Sequence, residues 1–255
     1  MGTSAATCVA LLGALQFLRS GAVNAREIAH PAHRVETELL GQQSGVQDQL
    51  AAAYGGISFI EMDCYPHATR HRVMISDAMR RELERRLSLV FVGQSHHSSA
   101  VHKMVIRQLE GAGRDAPQLA RLRALAERAR DALLAGDLHE FGKLMIANTE
   151  APSELHPELV GWKHRRIIEI ARRRGAWGWK VNGAGGSGGS VTILHGPDDR
   201  RRQQTLRLIR EADPSFHGIS IRLDDVGLRV REQPCHRGRR RRDKAGPAVA
   251  AAVVS

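Results

Sequence analysis

The chain has few aromatic residues and few cysteines, and it has no long run of apolar residues. Phe, Trp and Tyr make up 4% of its 255 residues, and no apolar stretch approaches the roughly 20 residues that a membrane-spanning helix needs. Cys8, Cys64 and Cys235 are far apart and odd in number, which favours reduced thiols over a disulfide framework. These absences predict a cytoplasmic protein with no membrane partner.

Positive charge exceeds negative charge by 11, which raises the question of nucleic-acid binding. Residues 231–255 hold seven cationic and two acidic residues and so supply +5 of this surplus. Their composition, rich first in arginine and then in Ala and Val, predicts a disordered basic tail over residues 232–255. Such a tail would bind polyanions non-specifically. Because no aromatic residues accompany the arginines, we expect no specific nucleic-acid partner.

Glycine is concentrated in residues 183–190, where it fills five of eight positions. This segment follows the run Trp177–Asn182 and leads directly into β-branched residues from Val191. Glycine allows positive φ and close backbone approach, both of which a turn beside a phosphate or a sugar requires. The alternative is a flexible Gly/Ser linker. The flanking Trp and Val residues favour burial, so the segment predicts a ligand-binding turn.

The first 25 residues allow two incompatible interpretations. The apolar run from Ala5 to Leu15, followed by small residues up to Ala25, could be a secretory signal, but the first cation is Arg19, on the wrong side of the run. The other interpretation is a helix from Ala5 to about Arg19, preceded by a tight loop at Gly2-Thr3-Ser4. The partial positive charge at the N-terminus of that helix would bind a nucleotide phosphate.

Two acidic residues flank a second loop of small and polar residues. Glu36 is expected late in one helix, and Asp48 is expected at the start of the next. Carboxylates in these positions can converge on one pocket, where one holds Mg²⁺ and the other takes a proton from a hydroxyl. The structural alternative makes Asp48 a helix N-cap and Glu36 a solvated helix residue.

In their order and spacing, three segments resemble the motifs of the GHMP kinases, the family of galactokinase, homoserine kinase, mevalonate kinase and phosphomevalonate kinase. Residues 1–6 resemble the end of the family's phosphate loop, residues 45–49 the loop of the catalytic aspartate, and residues 183–189 the C-terminal glycine motif. Residues 35–41, 47–56 and 97–102 are most similar to the sugar kinases that act on heptose 7-phosphate and fucose. The resemblance extends from residue 1 to about residue 231.

The resemblance implies an activity, its cofactors and the residues that carry them. The activity would be transfer of the γ-phosphoryl group of ATP to a hydroxyl of a sugar or sugar phosphate, with Mg²⁺ as the metal. Asp48 aligns with the proposed general base, and Ser4 and Glu36 align with the groups that hold the metal. The loop around the ATP phosphates aligns with Gly2, Thr3, Ser4 and Ala5. The active-site glycines of the family align with Gly183, Gly185 and Gly186.

The resemblance also implies a two-domain α+β fold. Residues 1–98 would be the remnant of an N-terminal domain like that of ribosomal protein S5, and residues 99–231 a ferredoxin-like C-terminal domain, followed by the tail at 232–255. Relatives have more chain before the phosphate loop, including the first strands, most of the base pocket and a cation that would pair with Asp48. We therefore expect an incomplete kinase, from a misplaced start codon or a decayed gene. The alternative is a catalytically inactive nucleotide-binding or interaction remnant.

Periodicity places the secondary structure around these motifs. One helix is predicted to end at Gly136, because glycine stops a helix. Further helices are predicted at residues 138–148, 161–174 and 200–211. Strands are predicted at residues 57–62, 87–92, 190–194, 219–223 and 228–231. Cys64, His67 and His71 have a metal-like spacing, but no fourth ligand is evident and Pro66 favours a turn.

Overall fold

The structure, a computed structural model, describes residues 2–93, 117–155, 159–183, 186, 188–233 and 249–253. The chain forms two compact units, which we call unit I (Gly2–Arg72 with Asp224–Ser255) and unit II (Val73–Leu223). Both contain helices and antiparallel strands, so the predicted α+β fold is confirmed. The predicted domain bounds at residues 98 and 231 do not coincide with these units and stay predictions.

The described elements follow one another along the chain in this order: α1 (Thr3–Ser20), α2 (Ala25–Arg34), a π-helix (Val35–Leu39), α3 (Gln47–Tyr54), β1 (Ser58–Cys64), β2 (His67–Arg72), α4 (Asp77–Arg86), β3 (Leu87–Phe91), α5 (Pro117–Ala135), α6 (Leu138–Leu155), α7 (Trp162–Arg173), β4 (Gly178–Asn182), β5 (Ser190–Leu194), α8 (Asp199–Ala212), β6 (His217–Ile219), β7 (Arg229–Gln233) and β8 (Val249–Val253). None of these described helices is both long and apolar enough to cross a bilayer.

The core of unit I lies among its first three α-helices. Val9 of α1 is completely buried and belongs to one hydrophobic cluster with Ile28 of α2 and Leu50 of α3. The apolar run near the start of the chain therefore forms a helix of the domain core, as the second of its two interpretations predicts. Gly21, with a φ of 70°, ends α1.

The π-helix continues directly from α2. Asn24 caps α2 by accepting a hydrogen bond from the N–H of Arg26 (3.0 Å). Beyond Arg34 the hydrogen-bond pattern widens, because the N–H of Leu40 donates to the carbonyl of Val35, five residues earlier (3.0 Å). A widened turn of this kind changes the direction of the side chains it carries, and such turns are frequent at functional sites. Glu36 lies in this turn.

The strands of unit I form two antiparallel pairs. In the first pair, β1 and β2 are joined by a turn at Tyr65-Pro66, where Pro66 predicts one. In the second pair, β8 aligns with β7 over its full length. The structure differs here from the expected disordered tail, since β8 lies within it and consists of Val and Ala. β-branched valines favour strand pairing. Residues 234–248, including Cys235, lie outside the described residues.

Unit II contains a four-stranded antiparallel sheet in the order β4-β5-β3-β6. Residues of α7 and α8 share its hydrophobic core: Ile167 and Ile209 cluster with Val90, Val191 and Ile193 of the central strands. The two central strands were predicted correctly because their residues are nearly all apolar or β-branched, the composition of a strand at the centre of a sheet. Helices α7 and α8 also lie within two residues of their predicted bounds.

Several elements of unit II differ from prediction. The predicted strand at residues 219–223 is instead β6, His217–Ile219, because the chain then leaves the sheet and the N–H of Leu223 donates to Glu84 Oε2 (3.1 Å). Gly136, with a φ of 76°, follows the end of α5 as predicted. Helix α6 extends past residue 148 to Leu155. Strand β4 was not predicted, and neither was β2 of unit I.

Candidate active site

Two of the predicted site segments meet in unit I, at Gly2 and Asp48. Gly2 is the N-cap of α1 and has a left-handed backbone conformation (φ 49°, ψ 21°). A Cβ atom built on Gly2 would lie 3.2 Å from Cγ and 3.3 Å from Oδ2 of Asp48. Position 2 therefore favours glycine for two reasons, since an L-residue strains this φ and a side chain would press on the Asp48 carboxylate.

The first turn of α1 is suited to an anion. Gly2 makes no side-chain capping hydrogen bond, and the first turn contains no acidic residue. The side chains of Thr3 and Ser4 are exposed, whereas Ala5 is buried, which anchors the turn in the core. The first N–H groups of a helix have no partner within the helix, and they carry the positive end of its dipole. These are the features of a phosphate site at a helix N-terminus.

Asp48 lies in the first turn of α3, where its side chain is exposed. The N-cap of α3 is Val46, so the structural alternative that made Asp48 the N-cap is wrong. Among the described residues, the Asp48 carboxylate has no hydrogen-bond or ion-pair partner. An exposed, unpaired carboxylate beside a helix N-terminus is available to accept a proton from a bound hydroxyl group.

Glu36 is buried rather than solvated, with 1% of its surface exposed. Its Oε2 accepts hydrogen bonds from Gln49 Nε2 and, at 3.4 Å, from Ser44 Oγ. Its Oε1 is buried and has no hydrogen-bond partner among the described residues. A buried carboxylate oxygen without a donor is costly, and binding a cation would satisfy it. The expectation of a solvated Glu36, the structural alternative, is therefore wrong.

Cys8 of α1 is electrostatically coupled to Glu36. Burial, and then the negative charge of Glu36, raise the pKa of the Cys8 thiol. Cys8 follows Ser4 by four residues, which places the two side chains on the same side of the helix. A carboxylate and a hydroxyl are oxygen ligands of the kind that Mg²⁺ prefers. The residues present thus fit the predicted magnesium site.

A cluster of three residues that sequence reasoning missed holds the loop between Glu36 and Asp48. His33 is buried, and its Nε2 lies 3.0 Å from the Ser44 carbonyl oxygen and 3.0 Å from the Tyr65 hydroxyl. The Tyr65 hydroxyl also donates to the Ser44 carbonyl (3.1 Å), and partial burial raises the pKa of Tyr65. These residues are up to 32 positions apart, and no local pattern signals their contact.

The residues with metal-like spacing do not converge on one point. Cys64 and His67 are partners across the β1–β2 hairpin, whereas the His71 Nε2 lies 2.8 Å from Glu61 Oε2. Within the described part of the chain, no three His, Cys, Asp or Glu side chains form a group that could hold a metal ion.

The predicted glycine turn lies in unit II and packs on the N-terminus of α7. Gly183 and Gly186 have positive φ angles of 68° and 72°, whereas Gly185 lies outside the described residues. His164 of α7 is completely buried, and its Nε2 lies 3.1 Å from the Gly188 carbonyl oxygen. A Cβ atom on Gly161 would come within 2.3 Å of the Gly186 oxygen. Glycine at position 161 is thus required by this contact.

The chain matches both domain models of one family. Residues 1–56 match the model of the GHMP kinases N terminal domain, and residues 129–212 match the GHMP kinases C terminal model. The first model contains the Gly2–Asp48 contact and Glu36. The second ends at the last residue of α8 and includes the glycine turn. Residues 97–102, which are part of the predicted resemblance, lie outside the described residues.

Curated relatives are kinases with different acceptors. The chain is 29% identical over 227 residues to the bifunctional fucokinase/GDP-fucose pyrophosphorylase of Arabidopsis thaliana, covering 87% of this chain and 21% of that protein. It is 25% identical over 203 residues to the D-glycero-alpha-D-manno-heptose 7-phosphate kinase of Campylobacter jejuni, covering 78% of this chain and 58% of the relative. The chain thus spans less than two thirds of the length of these relatives.

A solved structure shows the same fold. The mevalonate kinase of L. major, in complex with R-mevalonate, superposes with a TM-score of 0.66 at 22% identity, over 85% of this chain and 64% of that one. At this identity the likeness concerns the fold alone.

Proposed function

This chain belongs to the GHMP kinase family, and on that premise we propose that it transfers the γ-phosphoryl group of ATP to a hydroxyl of a sugar or sugar phosphate. The observation that carries the proposal is the contact of Gly2 with Asp48. It brings the first turn of α1, which is suited to binding phosphates, next to an exposed carboxylate that can accept a proton. Phosphoryl transfer from ATP to an alcohol needs both groups in one place.

The first turn of α1, residues Gly2, Thr3, Ser4 and Ala5, would bind the ATP phosphates. Its N–H groups and the helix dipole supply fixed positive charge that needs no rearrangement as negative charge builds on the transferred group. The buried side chain of Ala5 holds the turn in place. No cationic side chain is required in this turn for the phosphates to bind.

Glu36 and Ser4 would hold the magnesium ion. The unpaired Oε1 of Glu36 supports this assignment, because it is a buried anionic oxygen that only a cation or a donor can satisfy. When bound, Mg²⁺ neutralises charge on the ATP phosphates. The active-site role of Gly183, Gly185 and Gly186 is a part of the proposal that rests on the resemblance. A cytoplasmic location is proposed from the composition, and the free thiols of Cys8 and Cys64 agree with it.

Asp48 would accept or orient the proton of the acceptor hydroxyl. Its carboxylate is exposed, has no competing hydrogen bond among the described residues, and lies against the turn that would hold the phosphates. A base in this position raises the nucleophilicity of the hydroxyl at the moment of transfer. The support is geometric, since it rests on position and availability.

Two relatives favour a sugar or sugar-phosphate acceptor, namely the fucokinase and the heptose 7-phosphate kinase. A further curated relative, the mevalonate kinase of Thermococcus onnurineus, is 28% identical over 238 residues and raises a second candidate, a small hydroxy acid. The experiment is a panel of acceptors (fucose, a heptose 7-phosphate, galactose and mevalonate) with MgATP, in which ADP release is followed over time.

Turnover of fucose, the heptose phosphate or galactose supports the proposal, and turnover of mevalonate alone favours the second candidate. Nucleotide binding by calorimetry without turnover of any acceptor would favour the inactive nucleotide-binding remnant. Absence of both binding and turnover would overturn all three.

A further inference from the structure

Gln49 follows Asp48 and has no role in the assignments above, yet it is among the most buried polar residues of unit I. None of its surface is exposed. Burying an amide is unfavourable unless its groups are hydrogen-bonded. The amide nitrogen of Gln49 donates to Glu36 Oε2, whereas its Oε1 is buried and has no partner among the described residues. The side chain is therefore only half satisfied.

This half-satisfied amide is not what a packing role needs. An apolar side chain of the same length would fill the space without an unpaired oxygen, but it would leave Glu36 Oε2 without its nearer donor. What an apolar side chain could not supply is the donor to Glu36. The structure thus points to the N–H group of Gln49, and not to its volume, as the feature that matters.

The donor has a specific geometric effect on Glu36. By bonding to Oε2, Gln49 fixes the carboxylate so that Oε1 is the oxygen left unpaired. The other partner, Ser44, is more distant, with its Oγ 3.4 Å from Oε2. Because an amide carries no charge, it orients the carboxylate without neutralising it. Among the described residues, no cationic side chain forms an ion pair with Glu36.

Gln49 also links the two acidic residues of the site. Glu36 lies in the π-helix and Asp48 in the first turn of α3, and the only covalent connection between them is the intervening loop. The hydrogen bond from Gln49 ties the π-helix directly to α3, one residue after Asp48. Any shift of α3 would therefore move both the carboxylate predicted to bind metal and the predicted base.

We propose that Gln49 is a positioning residue that orients the Glu36 carboxylate towards the metal of the bound nucleotide. The proposal rests on the proposed function, because it takes Glu36 as a metal ligand. Partners that hydrogen-bond to a ligating carboxylate typically change metal affinity by about 10- to 100-fold when they are removed. Gln49 would act through Glu36 and would not touch the substrate.

The test compares Gln49→Met with Gln42→Met in the 255-residue chain. Methionine keeps the length of glutamine and removes the donor. Gln42 is the matched control because it lies in the neighbouring loop and its side chain is exposed. The first measurement is Mn²⁺ binding in the presence of ATP, followed through the electron paramagnetic resonance signal of free Mn²⁺. The second is ATP binding by calorimetry in EDTA, without metal.

We expect Gln49→Met to weaken Mn²⁺ binding about tenfold or more and to leave the affinity for metal-free ATP within about twofold. Gln42→Met should change neither quantity. In turnover, Gln49→Met should raise the Mg²⁺ concentration for half-maximal rate more than it lowers the rate at saturating Mg²⁺. A merely structural role would instead weaken both kinds of binding, because the whole site would be distorted.

Unchanged Mn²⁺ affinity in Gln49→Met would overturn the proposal, and so would an equal loss of metal-free ATP affinity. If the wild-type chain binds no Mn²⁺ with ATP, the metal role of Glu36 fails and this inference fails with it. If Mn²⁺ binding responds as expected but no acceptor is phosphorylated, only the proposed function fails. Should Gln49→Met not fold, Gln49→Leu, which also lacks the amide donor, gives the same comparison.

Discussion

The substitution Asp48→Asn distinguishes a base from a residue that only stabilises helix α3. Asparagine keeps the size of the side chain and removes its charge and basicity. Asp48 is exposed and has no hydrogen-bond partner among the described residues, so the stability at risk is its interaction with the helix N-terminus. That interaction is typically worth roughly 0.3–1 kcal/mol. In a protein of this size it corresponds to a change in melting temperature of less than about 4 °C.

The expected effect on turnover is much larger. Loss of a general base typically lowers the rate by roughly 10²- to 10⁴-fold, which stability changes of this size cannot produce. The assay is ADP release with the best acceptor of the panel, alongside thermal unfolding. Asp77→Asn is the matched control, since Asp77 is also an exposed acid in the first turn of a helix, α4. Near-normal turnover by Asp48→Asn, within about threefold of wild type, would refute the assignment of Asp48 as base.

Three further predictions concern stability and its dependence on pH. Gly2→Ala is expected to lower the free energy of unfolding in urea by about 1–2 kcal/mol, because of the left-handed φ and the Asp48 carboxylate; an unchanged value would contradict the contact. Burial, and then the charge of Arg202, lower the pKa of His195 from 6.5 to about 4. Between pH 6.5 and 4 the unfolded chain therefore binds more protons than the folded chain, so the stability of the wild type falls as pH decreases through this window. The substitution His195→Asn should make this decrease in stability smaller. Burial lowers the pKa of Lys180 from 10.5 to about 8, so the stability of the wild type should rise between pH 8 and 10.5. The substitution Lys180→Met should remove that rise. Urea titrations at the two pH values measure it.

Local patterns were enough to predict much of the fold. The apolar run at residues 5–15 and the small residues before it predicted α1, and the apolar composition of residues 87–92 and 190–194 predicted the central strands of unit II. These predictions succeed because burial on one face of a helix, or on both faces of a central strand, fixes which residues are apolar. Edge strand β6 and the hairpin strand β2 lack that pattern. A strand was predicted at residues 219–223 where β6 is His217–Ile219, and β2 was not predicted.

The sequence by itself also determined which residues are candidates for the site. The short spacing from Glu36 to Asp48 and the glycine at position 2 indicated two acids and a phosphate turn. Sequence reasoning placed Asp48 at the start of a helix, where the structure has it. It left open whether Asp48 capped that helix, because an N-cap and a residue two positions later have the same local sequence signals.

Only the tertiary structure decided how these residues are used. The widened π-turn directs Glu36 into the core, where Gln49, thirteen residues away, donates to it and leaves one carboxylate oxygen unpaired. The contact of Gly2 with Asp48 spans 46 positions. Burial and hydrogen bonding of this kind depend on how α1, the π-helix and α3 pack together. Packing is a property of all three elements at once, and no single segment of the sequence encodes it.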